Sequence, residues 1–591
     1  MSQMDAGMTV STQDMDARHN RCAKPGGAAG RANHDLPRGP MTDTQHRVPR
    51  IHPATHRDAA ACRAGTLDRR EFLTRATALG VAPVTAYALI GLRAPAARAA
   101  DHAQSRHGGT LRIQMTLRAM KEPRLFDWSE IANFCRGWLE YLVEYNSDGT
   151  LRGMLLEDWE VSDDATEYVL RLRRGVRWNN GDPFLAEDVV HNFELWCDES
   201  VAGNSMASRM TPLIDPATGL LREGAVTVMD DHTVRLRLSA PSVAIIADIS
   251  DYPAAVVHRS FTGGDPVATP LGTGPYLPEI YETGLRAALV RNEDHDWWGG
   301  DAGAYLDRIE FVDLGTDPSS WLAAAEGGEI DLVYQTTGDF IDLFTGIGMV
   351  ESGTVTAATL AVRFNQAVEP YDDRDVRRAI QMAVDNAVVL ELGYDDRGEV
   401  GENHHVAPLH PEYADIGPPA HDPEAARALL EEAGLADHAF ELISIDDSWQ
   451  SASCDAVAAQ MRDAGISVTR AILPGATFWN DWTDYPFSAT EWNMRPLGVQ
   501  VLTLGYRSGA AWNETGFSNA EFDALLAEAN ALADVEERRA VMARLQQILR
   551  DEGVLIQPYW RSVFRHYRPH VHNAAMHPTF EMHLYKFWVD S

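Results

Sequence analysis

Cysteine is scarce in this chain: there are five in 591 residues, with no CxxC pair and no zinc-site spacing. Neither a disulfide framework nor a structural zinc module is therefore encoded. Positive charge is short as well, with 51 Lys+Arg against 86 Asp+Glu and a formal net charge of −35. Such a surface repels a phosphate backbone, so no nucleic-acid partner is expected. No apolar run approaches the roughly 20 residues that span a bilayer. GxSxG, HExxH, SxxK and GxxxxGK are all missing, which removes the familiar signatures of exported hydrolases and nucleotide enzymes. No catalytic residue, no cofactor and no resident metal is expected.

What is present starts with a basic N-terminus. Residues 1–99 hold 14 Lys+Arg against 8 Asp+Glu and show no sustained apolar period before about residue 72, so they read as a disordered leader. Its end, "LDRREFLTRATALGVAPVTAYALIGLRAPAARAADHA", carries Arg69-Arg70, then Phe72-Leu73, then a short apolar run. Ala97-Arg98-Ala99 supplies a small-x-small site. Charged region, apolar region and cleavage site in that order make an export signal over 69–99, of the twin-arginine kind, cut after Ala99. Translocation would then use the twin-arginine translocase. No cysteine follows the apolar run, so no lipid anchor is expected. The mature product would be a soluble periplasmic monomer of about 490 residues.

The remaining 37 Lys+Arg and 78 Asp+Glu fall in a chain that alternates strands and helices. "EYVLRLR" alternates as a half-buried strand, and "AVTVMDDHTVRLRLSAP" reads as a hairpin turning at Asp230-Asp231. "LAEDVVHNFELW" places Val189, Val190, Phe193 and Trp196 at helical spacing. "RDVRRAIQMAVDNAVVLELG" and "DPEAARALLEEAG" read as helices ending near Gly393 and Gly434. "ELISI", "DAVAAQMRDAG" and "SVTRAIL" continue the alternation of an α/β layered fold.

Trp479, Trp482, Trp492 and Trp512 crowd one region, interleaved with Asn480, Asn493, Arg495 and Asn513. Aromatic walls with a few fixed polar groups suit a small-molecule cleft, and binding fits this pattern better than turnover. "NHHVAPLHPEY" brings His404, His405 and His410 together, either as a solvated loop with Pro408 and Pro411 or as a metal site. Arg495 raises a sharper question: it meets a ligand, or it pairs internally with a carboxylate such as Glu491 or Asp484.

Many blocks of the chain, in order, resemble the peptide/nickel class of ABC-transporter substrate-binding proteins, solute-binding family 5. They include "YNSDGTLRGMLLEDWEVSDDATEYVLRLRRGVRWNNGDPFLAEDVVHNFE", "PLGTGPY", "VRNEDHDWWGG", "GGEIDLV" and "YDDRDVRRAIQMAVD". The resemblance covers roughly 108–590. It implies a type II periplasmic-binding-protein fold, two lobes around a cleft plus an extra α/β domain, closing on ligand by a hinge. By carry-over, lobe I is discontinuous (100–145, 252–360 and 556–591), the extra domain is 146–251 and lobe II is 361–555. The crossings would lie near "AVRFN" and "LIQPY".

The implied function is a receptor for a small, carboxylated organic ligand, peptide-like, amino-acid-derived or opine-like. It would serve an importer made of a membrane permease and its ATPase. Peptide-binding members carry an aspartate for the peptide ammonium a few residues after a tryptophan. Aligned on Trp492, that place holds Arg495, which reverses the sign and suits a carboxylate. Replacing it should weaken binding with little loss of stability. Trp492 and Asn493 would flank this anchor, Trp479 and Trp482 would stack on the ligand, and Phe364, Asn365, Asn133 and Phe134 would approach it. Two rivals stay open: capture of a metal, metal chelate or haem through His404, His405 or His410, and an exported hydrolase whose triad is geometric and not sequential.

Overall fold

A computed structural model of the chain describes residues 51–94, 107–532 and 534–590. Ala97, Ala99 and the leader up to residue 50 lie outside them.

The organising element is a twelve-stranded mixed sheet. Its path runs through strands 276–282, 286–291, 308–312, 110–114, 332–336, 559–567, 350–364, 487–492, 440–445 and 468–473. Two short strands, 398–400 and 555–556, pair off that path. "GGTLRIQ" supplies Thr110–Gln114, which pairs in parallel with 308–312 and 332–336. "ELISI" and "SVTRAIL" form parallel neighbours joined by the helix Ser448–Asp463, the crossover that parallel pairing requires.

The 15-residue strand Val350–Phe364 holds the two halves of this sheet in one ladder. Its first part pairs with 559–567, and its last part, from Thr359 to Phe364, pairs with 487–492. Both expected crossings meet here, since Val362 of "AVRFN" stands opposite Ile556 of "LIQPY". A separate four-stranded antiparallel sheet, 156–161, 167–172, 233–237 and 226–230 in spatial order, lies within the span expected for the extra domain. Glu167–Leu172 buries alternate residues, as the alternation predicts; the hairpin forms too, but it turns at Asp231-His232, one residue later than expected, because Asp230 still pairs with Thr233. Val189, Phe193 and Trp196 are the buried face of the helix Ala186–Trp196.

Two local expectations change. "RDVRRAIQMAVDNAVVLELG" is two helices, Arg374–Met382 and Asn386–Tyr394, because Asp385 turns outward and caps the second through the Ala387 N–H. Gly393 lies inside that helix, where a Cβ would come 2.4 Å from Ser453 Oγ; it is small for packing, and Asp395 at φ 53° makes the left-handed cap. The second change is at residues 53–89, which form three helices where composition predicts no fixed structure. Phe72 and Leu73 are wholly buried with Ala59, Leu67 and Tyr87. The Trp159 indole N–H donates to the Ala78 carbonyl, and Tyr87 donates to Asp148. These helices bury a small core of their own, with Ala76, Val81 and Ala86 completing it, and the two hydrogen bonds tie it to the rest of the fold.

Phe364, at the end of the long strand, is wholly buried and stacks on Phe487 (4.9 Å between centroids) and Tyr371 (5.7 Å). Phe364→Ala should cost about 3–5 kcal/mol of unfolding free energy by the cavity it leaves. Urea denaturation checks this; a loss under about 1 kcal/mol would mean the stack relaxes to fill the gap.

Candidate functional site

A cavity of about 510 Å³ opens where several strands of the large sheet end. The carboxyl ends of 110–114, 308–312, 332–336, 440–445 and 487–492 deliver Gln114, Asp313, Gln335, Asp447 and Glu491 to its wall. Ligands of open α/β sheets settle in this kind of crevice, because loops there are free to vary over a rigid scaffold. Trp128, Trp321, Trp449 and Trp479 give it aromatic walls. Trp479 is half-buried and lies 3.9 Å, ring centre to ring centre, from Trp128.

The wall is acidic. Asp127, Glu130, Asp313, Asp446, Asp447 and Glu491 line it, against Arg118 and Lys121 as the basic side chains. Arg118 pairs with Glu130 at 2.9 Å and lies over the Trp128 and Trp479 rings at 4.6 and 5.3 Å. Lys121 pairs with Asp127. Glu491 accepts from Arg561 at 3.1 Å, and burial still raises its pKa. Asp447 caps the helix that follows it by accepting from the Trp449 N–H. Burial, and next the Glu491 charge, push Asp447 up to about 7.

Arg495 lies elsewhere. It is 2% exposed and lines a separate void of about 20 Å³ with Asp127, Trp128, Tyr252, Trp482, Glu491, Trp492, Asn493 and Trp512. Its Nε donates to Asp251 Oδ2 at 2.8 Å, and Arg209 Nη2 donates to the same oxygen at 2.6 Å. Nη1 donates to the Asn493 and Met494 carbonyls, and Nη2 to the Tyr252 hydroxyl at 3.3 Å. The partner is Asp251, 244 positions away, and not Glu491 or Asp484. Burial alone would raise the Asp251 carboxyl, yet Arg495 and Arg209 hold it below its ordinary value.

The model for bacterial extracellular solute-binding proteins, family 5, matches residues 150–514. The chain belongs to that family. Heme-binding protein A of Haemophilus influenzae is 27% identical over 453 residues, covering 70% of this chain and 79% of the relative. Among solved structures, Haemophilus influenzae OppA in complex with RPPGFSPFR superposes with a TM-score of 0.74 at 20% identity, over 83% of this chain and all of that one. AgaA in complex with agropinic acid, from A. tumefaciens R10, gives 0.72 at 20% identity, over 82% of this chain and 99% of that one. The fold is the type II periplasmic-binding-protein fold that the ordered blocks imply.

In this solute-binding protein the other expected site residues divide into three groups. Trp479 lines the larger cavity, while Trp482, Trp492 and Asn493 line the small void beside Arg495. Asn133, Phe134, Phe364 and Asn365 line neither. Asn133 is buried behind the wall, donating to the Tyr334 hydroxyl and the Phe580 carbonyl. Phe134 packs between Tyr281, Trp138 and Phe311, and Asn365 closes a turn by accepting from the Ala367 N–H.

The three histidines are buried and not solvated, and they face different partners. His404 meets Glu402 and Gln546, His405 meets the Tyr506 hydroxyl, and His410 meets the Arg495 carbonyl. Burial lowers all three, His410 to about 4. Among the described residues, metal-ligand spacing is found at His577, Glu581 and His583. Arg136 pairs with Glu581 at 3.0 Å and Lys586 Nζ lies 3.1 Å from His583, so two cations already occupy that group. The described cysteines, Cys62, Cys135, Cys197 and Cys454, are free thiols.

Sequence reasoning missed Arg118, Asp447 and Glu491. Glu491 directly precedes Trp492, and Asp447 sits in "SIDDSW", an N-cap signal at a strand end; both were legible as local structure but not as cavity wall.

Removing Asp251 strands two buried guanidinium groups, whereas removing Arg495 leaves Asp251 its Arg209 partner. Asp251→Ala should therefore cost about 3–5 kcal/mol, and Arg495→Ala clearly less though still measurable. Equal losses in paired denaturation curves would contradict this sharing.

Proposed function

We propose that this family member is an exported periplasmic receptor that binds a small organic solute in the 510 Å³ cavity and delivers it to an ABC importer. The importer's membrane permease and ATPase are its partners. The observation that carries the reading is the cavity's construction. One wall comes from Gln114–Ile131 and Thr283–Thr337, and the other from Ile445–Glu491, the spans assigned to lobe I (100–145, 252–360 and 556–591) and lobe II (361–555). The small antiparallel sheet supports 146–251 as the extra domain. A ligand touching both walls favours whichever relative position of the lobes brings them together, the thermodynamic basis of closure on ligand.

Relatives named for a peptide, an opine-type acid and haem support a solute that is amino-acid-derived, peptide-like or opine-like. With Arg495 held by Asp251, Arg118 is the arginine that lines the larger wall, and a solute carboxylate would share it there with Glu130. Arg495 acts behind the wall, and Trp482, Trp492 and Asn493 shape the floor next to it. The buried, separately engaged histidines give the haem and metal reading no support.

Export rests on Arg69-Arg70. Arg69 is exposed and Arg70 partly buried at the start of the helix Arg69–Ala78, so at least one is open to a receptor. The signal reading, with cleavage after Ala99 and release as a monomer without lipid, follows from the sequence pattern.

Trp479→Ala should weaken binding of an amino-acid-derived or opine solute at least tenfold, a change of about 1.4 kcal/mol, while Phe134→Leu leaves affinity within about twofold. Calorimetric titration measures both, and equal affinity in wild type and Trp479→Ala would remove the larger cavity as the site. The double change Arg69→Lys with Arg70→Lys should leave full-length protein in the cytoplasm; fractionation showing normal periplasmic delivery would refute the twin-arginine route.

A further inference from the structure

We propose that the Asp447–Glu491 end of the cavity is a subsite for an organic cation, an ammonium or guanidinium group with several N–H donors. The assignment rests on the receptor reading above and deepens it by naming the charge of one end of the solute.

Charge supports it first. Of the six carboxylates in the wall, Glu130 and Asp127 are taken by Arg118 and Lys121. Asp313 is turned onto backbone, accepting from the Leu117 and Gly315 N–H groups. Asp446, Asp447 and Glu491 remain at one end, with Arg561 as the cation paired there. Arg561 is itself buried, with its guanidinium 3.8 Å over the Trp449 ring. The Arg118–Glu130 pair also reaches Glu491, so four carboxylates face two guanidinium groups; that end stays negative, and a cation entering it relieves the repulsion between Asp447 and Glu491.

Unmet hydrogen bonding supports it independently. Gln450 is 1% exposed and lines the cavity, yet its Oε1 accepts nothing. Buried acceptors without donors are costly and uncommon. Gln450 Oε1 is an acceptor, so a partner there carries N–H or O–H groups. A bare metal ion would satisfy the charge but not fill 510 Å³ between tryptophans, whereas an alkylammonium or alkylguanidinium places its chain against those rings and its head on the carboxylates.

Asp447 also makes the subsite sensitive to pH. It is faced by Glu491 from strand 487–492, by Arg561 from strand 559–567, and by the Trp449 and Gln450 N–H groups of its own helix. Raised to about 7 by burial and the Glu491 charge, it is partly protonated at neutral pH, and an entering cation favours its ionised form. Cation affinity should therefore rise between pH 6 and pH 8.

The test uses the purified full-length chain, stripped by reversible unfolding, in thermal-shift and calorimetric titrations with agmatine, putrescine, glutarate and magnesium. Asp447→Asn is the main variant, since asparagine also caps helices and the fold should survive; Glu491→Gln is the second. Agmatine or putrescine should raise the melting temperature, more at pH 8 than at pH 6, with at least tenfold weaker binding in Asp447→Asn. Three results overturn the subsite: glutarate binds while both amines fail, the amines bind Asp447→Asn as tightly as wild type, or magnesium alone stabilises. If no probe binds, the subsite falls as well. The receptor reading is then judged on its own by mass spectrometry of solute extracted from periplasmic protein.

Discussion

One carboxylate oxygen, Oδ2 of Asp251, receives two arginines from opposite directions in the sequence, Arg209 and Arg495. Much of the site depends on that arrangement. A buried guanidinium without a partner is not tolerated, so Arg495 goes where a carboxylate waits. Trp512 and Tyr252 enclose the group, with both arginines lying over the Trp512 ring. The segment after strand 487–492 is thereby tied to residues 205–209 and 251–252. A second consequence is electrostatic: a positive charge that local context suggests for the ligand cleft is neutralised behind it. The larger cavity keeps its excess of carboxylates.

The sheet explains why the cavity lies where it does. Val350–Phe364 spans both halves, and strands on either side run their carboxyl ends toward the same crevice. Each such strand brings one or two side chains there from its end or just beyond it. Glu491 illustrates the economy of this layout: it lies two residues beyond buried Ala489 in the same strand, yet it faces Arg561 and the cavity. The "GTG" of "PLGTGPY", readable as a loop, has a different cause. A Cβ on Gly272 would lie 1.9 Å from the Trp138 carbonyl oxygen, so the glycine serves close backbone packing and no ligand.

Local patterns were legible wherever two-residue or 3.6-residue periodicity was strong. The strand 167–172, the hairpin 226–237 and the helix 186–196 follow from their residues alone, and the ordered blocks lead to the family. Legibility failed where a residue's role depended on distant partners. His404, His405 and His410 look solvated beside two prolines, but Glu402, Gln546, Tyr506 and the Arg495 carbonyl surround them. Phe364 and Asn133 look like cleft residues by position in the family and turn out to be packing, one in an aromatic stack and the other behind Tyr334. The helices within 53–89 were hidden because their apolar residues are few and keep no sustained period, although eight of them close into a small core of their own.

By itself the sequence determined the layered α/β architecture, the family and the receptor class. Each rests on patterns repeated over tens of residues, and no single misplaced side chain can alter them. The sign of the larger cavity's wall was decided only by tertiary structure. It depends on which of many carboxylates stands within 3 Å of each arginine. For Arg495 that carboxylate lies 244 residues away, at a separation where neither spacing nor composition carries information about contact.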